Sequence, residues 1–409
     1  MKIGVVINRL EPARGGAEVY TSDFVRWLLQ SGHDVTVVAA RWNAALEAEC
    51  RKLRGRVKFE RIDAGWGLHV LRSVRFAEAA ERRVAGLKAA GEIDVALDMG
   101  AGLGCEVVQP HAGVREVAVE GTLDSIANPT ARALKRYILR WDPTERIKRR
   151  LQARRYRHRT PPQIIAVSKL VGDSVKKVHA VPDERIHIIH NGVNLDRFSP
   201  TRLSSFRRAG RELLGGRGEV IVLTVAHNLR LKGTATVIAL ARRAEKFGLP
   251  FRFVVLGAGA RKSRPFEKMA RRSGVSTVRF IPATDDVDSF YAGADVFLLP
   301  TFYDSCALTT FEALASGLPV ITTARNGASE RITHGAGAFV IPEALDLDGF
   351  MAALTKLADP ETRRQMAVDA RSAAENLGCE VNYRRVLEVL HAAARPRDAT
   401  LAFPFPVSR

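Results

Sequence analysis

The chain opens on an apolar run, Ile3 to Ile7, which breaks at Arg14-Gly15-Gly16-Ala17-Glu18. Beyond the break, Val19, Phe24, Trp27 and Leu28 recur at helical spacing. A second apolar run, Asp34 to Ala39, follows the breaker Ser31-Gly32-His33, so the opening reads as strand, helix, strand in the doubly wound manner. Shorter runs at Asp94 to Leu97, Glu106 to Gln109, Gln163 to Val167 and Arg185 to Ile189, each bounded by Gly, Pro, Asp or Ser, extend the same parallel sheet. Between them Asn128 to Arg140 and Pro143 to Arg159 read as helices, the second opened by Asp142 as N-cap, Pro143 at N1 and Glu145 at N3.

The alternation then stops. Asp196 to Gly218 is rich in Arg, Gly and Ser and lacks strand periodicity, which predicts a linker with a short helix. A fresh series follows: strand Val220 to Val225, helix Thr234 to Phe247, then strands at Phe251 to Leu256, Val278 to Ile281, Val296 to Leu299 and Val320 to Thr322. The architecture repeats although the sequence does not. The prediction is an α/β protein of two Rossmann-like doubly wound domains facing a cleft. Residues 1–195 form the first domain, completed by a C-terminal helix from 380–395. Residues 196–218 are the linker, 219–379 the second domain, and 396–409 a mobile tail. A length of 409 residues suits two such cores.

Composition narrows the class. With 46% hydrophobic and 26% charged residues the chain is globular and not disordered. No apolar stretch approaches the roughly 20 residues of a membrane-spanning helix, and Met1-Lys2-Ile3-Gly4-Val5-Val6-Ile7 lacks the leader pattern of a signal peptide. The cysteines Cys50, Cys105, Cys306 and Cys379 are scattered, as free thiols in a reducing compartment would be. Charge changes the picture more: the net value is +19, and Arg132 to Arg159 places twelve Lys or Arg against Asp142 and Glu145. Anionic lipid, phosphorylated glycan and nucleic acid would all suit such a face. Nucleic acid is not expected, because aromatic residues are 7% and no nucleic-acid module accompanies the charge.

Within this segment Leu134, Tyr137, Ile138 and Trp141 recur at helical spacing and Ile147 and Leu151 continue the stripe. Lys135, Arg136, Arg140, Lys148, Arg149 and Arg155 supply cationic faces. Two accounts stand: the stripe packs on the first sheet, or it forms a peripheral membrane or anionic-acceptor surface.

The densest chemistry lies between Pro300 and Val320. A buried strand ends at Pro300, a loop carries Asp304, and a helix runs to Ser316 before Gly317 and Pro319 stop it. Asp304 and Glu312, eight positions apart, therefore flank a helix start, and the amides of Ser305, Cys306, Ala307 and Leu308 form an N-terminus suited to phosphate. The plainer alternative makes Asp304 a loop cap and Glu312 a solvated helix residue. The turn Val225-Ala226-His227-Asn228-Leu229-Arg230-Leu231-Lys232-Gly233 offers Arg230 as a fork and Lys232 as a point charge for a diphosphate, or else is a basic surface turn. Gly15 and Gly16 let backbone amides approach an anion, or merely make a tight turn. His111, after Pro110, projects from a strand end into the cleft unless it is structural. Asn191-Gly192-Val193 and Val167-Ser168 read as a turn and an N-cap. Neither Gly257-Ala258-Gly259, with Lys262 where a third glycine would stand, nor Met99-Gly100-Ala101-Gly102-Leu103-Gly104 has the dinucleotide spacing.

From Gly15 to about Glu330 these motifs fall in the order found in the retaining nucleotide-sugar glycosyltransferases of family 4 (group 1), which include lipopolysaccharide-core glucosyltransferases, and the chain resembles that family. The resemblance implies a GT-B fold. In the family two glutamates separated by seven residues bind the donor, the first touching sugar hydroxyls and the second the ribose. Glu312 matches the second, while Asp304 occupies the first with one methylene fewer. Lys232-Gly233 matches the diphosphate turn, but the family's Arg five residues earlier is His227 here, so its role passes to Arg230. Gly15-Gly16-Ala17-Glu18 matches the N-terminal signature, His111 takes a place near the donor sugar, and Gly257 lies beside the nucleotide.

The implied activity moves a hexose from a nucleotide-diphosphate sugar, with retention, to a glycan or lipid-linked glycan acceptor in lipopolysaccharide or other cell-envelope polysaccharide synthesis. Its place would be the cytoplasm, peripherally on the inner face of the cell membrane. No cofactor and no metal are expected, since no paired Asp-x-Asp stands at a strand end near these groups. Two rivals remain: a sugar-nucleotide-binding relative without turnover, motivated by Asp304, and a nucleic-acid-binding protein, motivated by the charge.

Overall fold

The apolar runs pair into separate parallel sheets. In the computed structural model residues 1–12, 15–157, 161–216, 218–257 and 259–394 are described. Arg14, the end of the helix expected to reach Arg159, and the tail lie outside them. The strands are β1 (Lys2–Val6), β2 (Arg9–Leu10), β3 (Asp34–Ala39), β4 (Arg41–Trp42), β5 (Val57–Arg61), β6 (Val95–Asp98), β7 (Val107–Val108), β8 (Gln163–Ala166) and β9 (Ile186–Ile188) in the first half. The second half has β10 (Val220–Val225), β11 (Phe251–Leu256), β12 (Val278–Ile281), β13 (Val296–Leu299), β14 (Val320–Thr323) and β15 (Ala338–Ile341). The sheet orders are β5-β3-β1-β6-β7-β8-β9 and β12-β11-β10-β13-β14-β15, with β2-β4 a small ribbon beside the first. In each sheet the order reverses beside the first strand of its half, which is where a doubly wound fold opens a crevice.

The first helix, Gly16–Gln30, buries Tyr20, Phe24, Val25, Leu28 and Leu29 against the first sheet. The last helix, Cys379–Ala394, returns to that sheet, where Tyr383, Val386, Val389 and Leu390 share one buried cluster with Ile3, Val5, Val37 and Leu97. Each such side chain contributes about 1.5–3 kcal/mol. The two crossings between domains touch: Val193 N donates to Leu377 O at 2.8 Å and Cys379 N to Val193 O at 3.0 Å.

Most of the segment read as a linker is helical. Pro200–Leu203, Ser204–Phe206 and Arg207–Leu214 follow one another, with Phe198, Leu203 and Leu214 buried in the same cluster as Ile221, Leu223 and Phe290. Its arginines pair with second-domain acids: Arg197 and Arg202 with Asp288 at 2.9 and 2.8 Å, Arg207 with Asp295 at 3.0 Å. That same cluster contains Val108 and Ile164 of the first sheet, so an apolar seam joins the domains behind the cleft. All four cysteines are free.

Candidate active site

Parallel β10 and β13 are neighbours, with Val222 opposite Val296, and their carboxyl ends release the two loops that matter. Gly233 has φ 75°, and a Cβ there would stand 1.9 Å from the Pro300 carbonyl oxygen, so only glycine lets the loops close. Leu231 O then accepts Phe302 N at 2.9 Å and Thr301 Oγ1 at 3.0 Å. The closure carries Lys232 Nζ into contact with the Asp304 carboxylate, a pair that is mostly buried. Burial pulls the Lys232 ammonium down to about 7, where a neighbouring carboxylate decides its charge.

The helix Leu308–Ala315 begins just beyond, and the structure narrows its predicted anion cradle. The Cys306 amide is taken by Asp304 Oδ1 and the Ala307 amide by Asn326 Oδ1, each at 3.2 Å. Ser305 ties the domains together instead: its hydroxyl donates to His111 O and its carbonyl accepts Ser168 Oγ at 2.6 Å. The amides of Ser305, Leu308 and Thr309 are left without partners among the described residues. Facing them is the start of the helix Gly16–Gln30. A Cβ on Gly16 would lie 3.2 Å from Leu308 Cδ1, and neither N-cap, Gly15 nor Ala307, makes a side-chain cap. Two helix N-termini whose N-cap residues make no side-chain bond, one from each domain, thus converge beside a lysine, with the Glu18 carboxylate in the first turn of the first, an arrangement whose lysine and open amides suit a polyanion.

The other expected residues are distributed around this centre. His111 packs 4.6 Å from the Tyr20 ring centroid, its Nε2 has no partner among the described residues, and burial pulls the imidazole down to about 3, so it is neutral. Glu312 accepts the Tyr291 hydroxyl at 2.7 Å and burial raises its carboxyl. Asp304 and Glu312 therefore bracket the helix start but hold different partners. Arg230 and Lys232 also diverge: Arg230 is exposed and makes no side-chain bond among the described residues. Gly257 lines a cleft of about 770 Å³ with His227, Arg261 and Lys262, and Glu11 and Asn43 of the first domain stand opposite.

Arg261 and Lys262, Ser168, and Asn191, whose Nδ2 donates to Cys306 O at 3.0 Å, were not expected here. A polar residue just past a buried strand was the available signal for the last two. Glu330 also joins the domains, accepting the amides of Lys169 and Leu170 at 2.7 and 2.8 Å and meeting His190 at 2.8 Å. The glycine-rich run after β6 is satisfied internally, since Asp98 Oδ1 accepts the amides of Gly100, Ala101 and Gly102 at 3.0, 2.7 and 2.6 Å.

The basic segment folds as Pro129–Trp141 and Pro143–Tyr156. Asp142 caps the second helix through Thr144 N, but Glu145 closes no capping box. It binds Arg115 and Lys148 at 2.6 and 3.0 Å; burial pushes its carboxyl up, and these cations pull it further down, to about 2. The predicted two-helix stripe splits. Ile147 and Leu151 are half-buried, whereas the first helix buries no residue, and its Leu134, Tyr137, Ile138 and Trp141 are 49–65% exposed. The sheet does not cover this stripe.

Both halves of the chain match family models, residues 14–197 that of Glycosyltransferase Family 4 and residues 220–359 that of Glycosyl transferases group 1. The chain belongs to the family 4, group 1 glycosyltransferases. It is 29% identical over 238 residues to the D-inositol 3-phosphate glycosyltransferase of Streptomyces scabiei (strain 87.22), covering 54% of this chain and 52% of that protein. The chain spans about half the length of the curated relatives it matches.

By structure it is similar to WaaG, a glycosyltransferase involved in lipopolysaccharide biosynthesis, with TM-score 0.78 and 20% identity over 95% of this chain and 99% of that one. It also resembles Anabaena Alr3699/HepE in complex with UDP-glucose, with TM-score 0.67 and 17% identity over 96% and 100% of the two chains. These likenesses give the fold, which is GT-B.

Proposed function

We propose that this protein transfers a hexose from a nucleoside-diphosphate sugar to a glycan or lipid-linked glycan, with retention, in lipopolysaccharide or other cell-envelope polysaccharide synthesis. The observation that carries it is the convergence of Lys232 with two helix N-termini from facing domains whose N-cap residues make no side-chain bond. Charge builds on the diphosphate as it leaves, and a preorganised cation with amide dipoles stabilises that state more than the ground state. Arg230 sits at the mouth of the same turn, and neutral His111 offers a hydrogen bond near the sugar. Glu312 would receive the ribose, and the cleft beside Gly257 the rest of the nucleoside. The acceptor hydroxyl attacks from the face the diphosphate leaves.

No step calls on a metal, because protein cations supply the charge, so a chelator leaves the rate unchanged. Calorimetry and product analysis with a panel of nucleotide sugars test the assignment: saturable donor binding with release of nucleotide and a product of the donor's own anomeric configuration supports it. Binding without release favours the non-catalytic relative, for which Asp304 in place of glutamate is the motive.

The bare stripe on Pro129–Trp141 fits an anionic bilayer, with the protein on the cytoplasmic face. No helix among the described residues is long and apolar enough to cross a membrane. Lys135, Arg140 and Arg150 are exposed beside the stripe, and each gains about 1 kcal/mol near an anionic surface. They are the residues to test, since Lys148 is held by Glu145 and Arg149 is half-buried. Changing the three to Gln should abolish low-salt co-sedimentation with anionic vesicles and spare donor hydrolysis. Equal binding to neutral vesicles would remove the membrane from the proposal.

A further inference from the structure

Asp304 stands where the family carries a longer carboxylate, and both of its oxygens are occupied. Oδ2 contacts Lys232 Nζ and Oδ1 accepts the Cys306 amide at 3.2 Å. Its backbone is clamped on each side, Asp304 N to Arg325 O and Gly327 N to Asp304 O, both at 2.9 Å, within a parallel bridge to Asn326. With a single methylene between that fixed backbone and the carboxyl, the group cannot follow a sugar ring without leaving both partners.

Among the described residues Asp304 is the acid that pairs with Lys232. On its own turn His227 and Arg230 are exposed. On the opposing loop Tyr303 and Cys306 are both pushed up to about 12 by burial and stay neutral. Arg325, on the adjoining loop, pairs with Glu343 at 2.9 Å. On the helix Arg115–Asp124, which packs against these loops, Glu120 pairs with Arg136, Asp124 acts on Arg325, and Glu116 on His179.

We propose that Asp304 is a positioning residue, the counter-ion that keeps Lys232 charged and parked beside the anion site until the donor diphosphate takes its place, and not the reader of the donor sugar. The proposal rests on the nucleotide-sugar chemistry above. Exchange of one anion for another means that the lysine is never a bare buried charge, a strongly disfavoured state. No bond forms or breaks in the exchange. Burial pulls Lys232 down to about 7 with Asp304 beside it, and removing the carboxylate leaves that burial without a counter-charge and lowers the lysine further.

The test uses the full chain with Asp304→Asn and Asp304→Glu. Lysines are marked by ¹³C-dimethylation, Lys232→Arg identifies the signal, and its titration is followed by NMR without donor. The expected result is a Lys232 titration in Asp304→Asn at least about one pH unit below wild type, with Asp304→Glu near wild type. In turnover, Asp304→Asn should lose kcat/KM by about tenfold per pH unit above the lowered Lys232 value, as the free enzyme loses one proton, with kcat at saturating donor near wild type and donor KM values for different sugars rising together. Identical titrations, or a pH-flat Asp304→Asn whose KM rises for one donor sugar alone, overturn the proposal.

If wild type turns over no nucleotide sugar, the functional assignment fails while the NMR titration still decides the counter-ion role. Should Asp304→Asn not fold, UDP added to wild type must shift the Lys232 signal and leave it charged, and loss of charge on binding overturns the exchange.

Discussion

Two clusters of positive charge serve this molecule, and they are built oppositely. At the β10 and β13 ends Lys232 is buried, fixed by a glycine turn and matched to one carboxylate. On the helix Pro129–Trp141 the cations stand in solvent beside apolar side chains that nothing covers. The first arrangement makes a single charge strong and specific, because low dielectric magnifies it and geometry aims it. The second makes many charges weak, screened and additive, which is what an extended surface with no fixed register requires. Net charge counts both alike, and burial separates them.

The largest way to break this contrast is Lys232→Ala. It should lower turnover at saturating donor by about a hundredfold, on the order of 3 kcal/mol, and lower the melting temperature as well, since Asp304 is left without its cation. A loss confined to KM would mean that Lys232 holds ground state and transition state equally.

Next comes a buried acid of the second basic helix, Pro143–Tyr156. Glu145 is held well below its ordinary range, so it adds stability that is complete above pH 4.5 and is lost as pH falls towards about 2. Glu145→Gln should cost roughly 2 kcal/mol at neutral pH and flatten the acid limb of thermal stability through that window. An unchanged acid limb would show the ion pairs with Arg115 and Lys148 to be marginal.

The smallest effect is expected from Glu312→Ala, which removes one hydrogen-bonding group for the ribose. Donor affinity should fall several-fold, about 1 kcal/mol, with kcat spared. Tyr291→Phe, which frees Glu312 from its hydroxyl partner, should leave that affinity within about a factor of two if the ribose contact is direct.

The alternation of apolar runs made both sheets legible, since fully buried parallel strands such as Val220–Val225 are continuous hydrophobic stretches. β5 was not legible because Val57–Arg61 is an edge strand with a mixed half-buried pattern, whereas β15, four apolar residues between Gly337 and Pro342, carried the same signal as Val296–Leu299 and went unread. The glycines and Lys232 announced an anion site at strand ends. What the sequence concealed was competition for amides: Asp304 and Asn326 take two of those expected to meet phosphate, and Asn326 lies in a loop far along the chain. Arg261 and Lys262 were masked by their place in a failed dinucleotide pattern, although a broken fingerprint says nothing about which surface the loop faces.

The paired crossings at Val193 and Gly378 have a mechanical meaning. Two chain segments hydrogen-bonded edge to edge flex easily about the line they share and resist shear and torsion. They behave like a strap hinge on a box, which leaves the two halves one soft coordinate. Changes in cleft width should therefore appear as a rotation about this strap. Spin-label distances measured across the mouth should vary with donor while those measured along the strap stay constant, and cutting the chain within either crossing should turn a door into a loose joint.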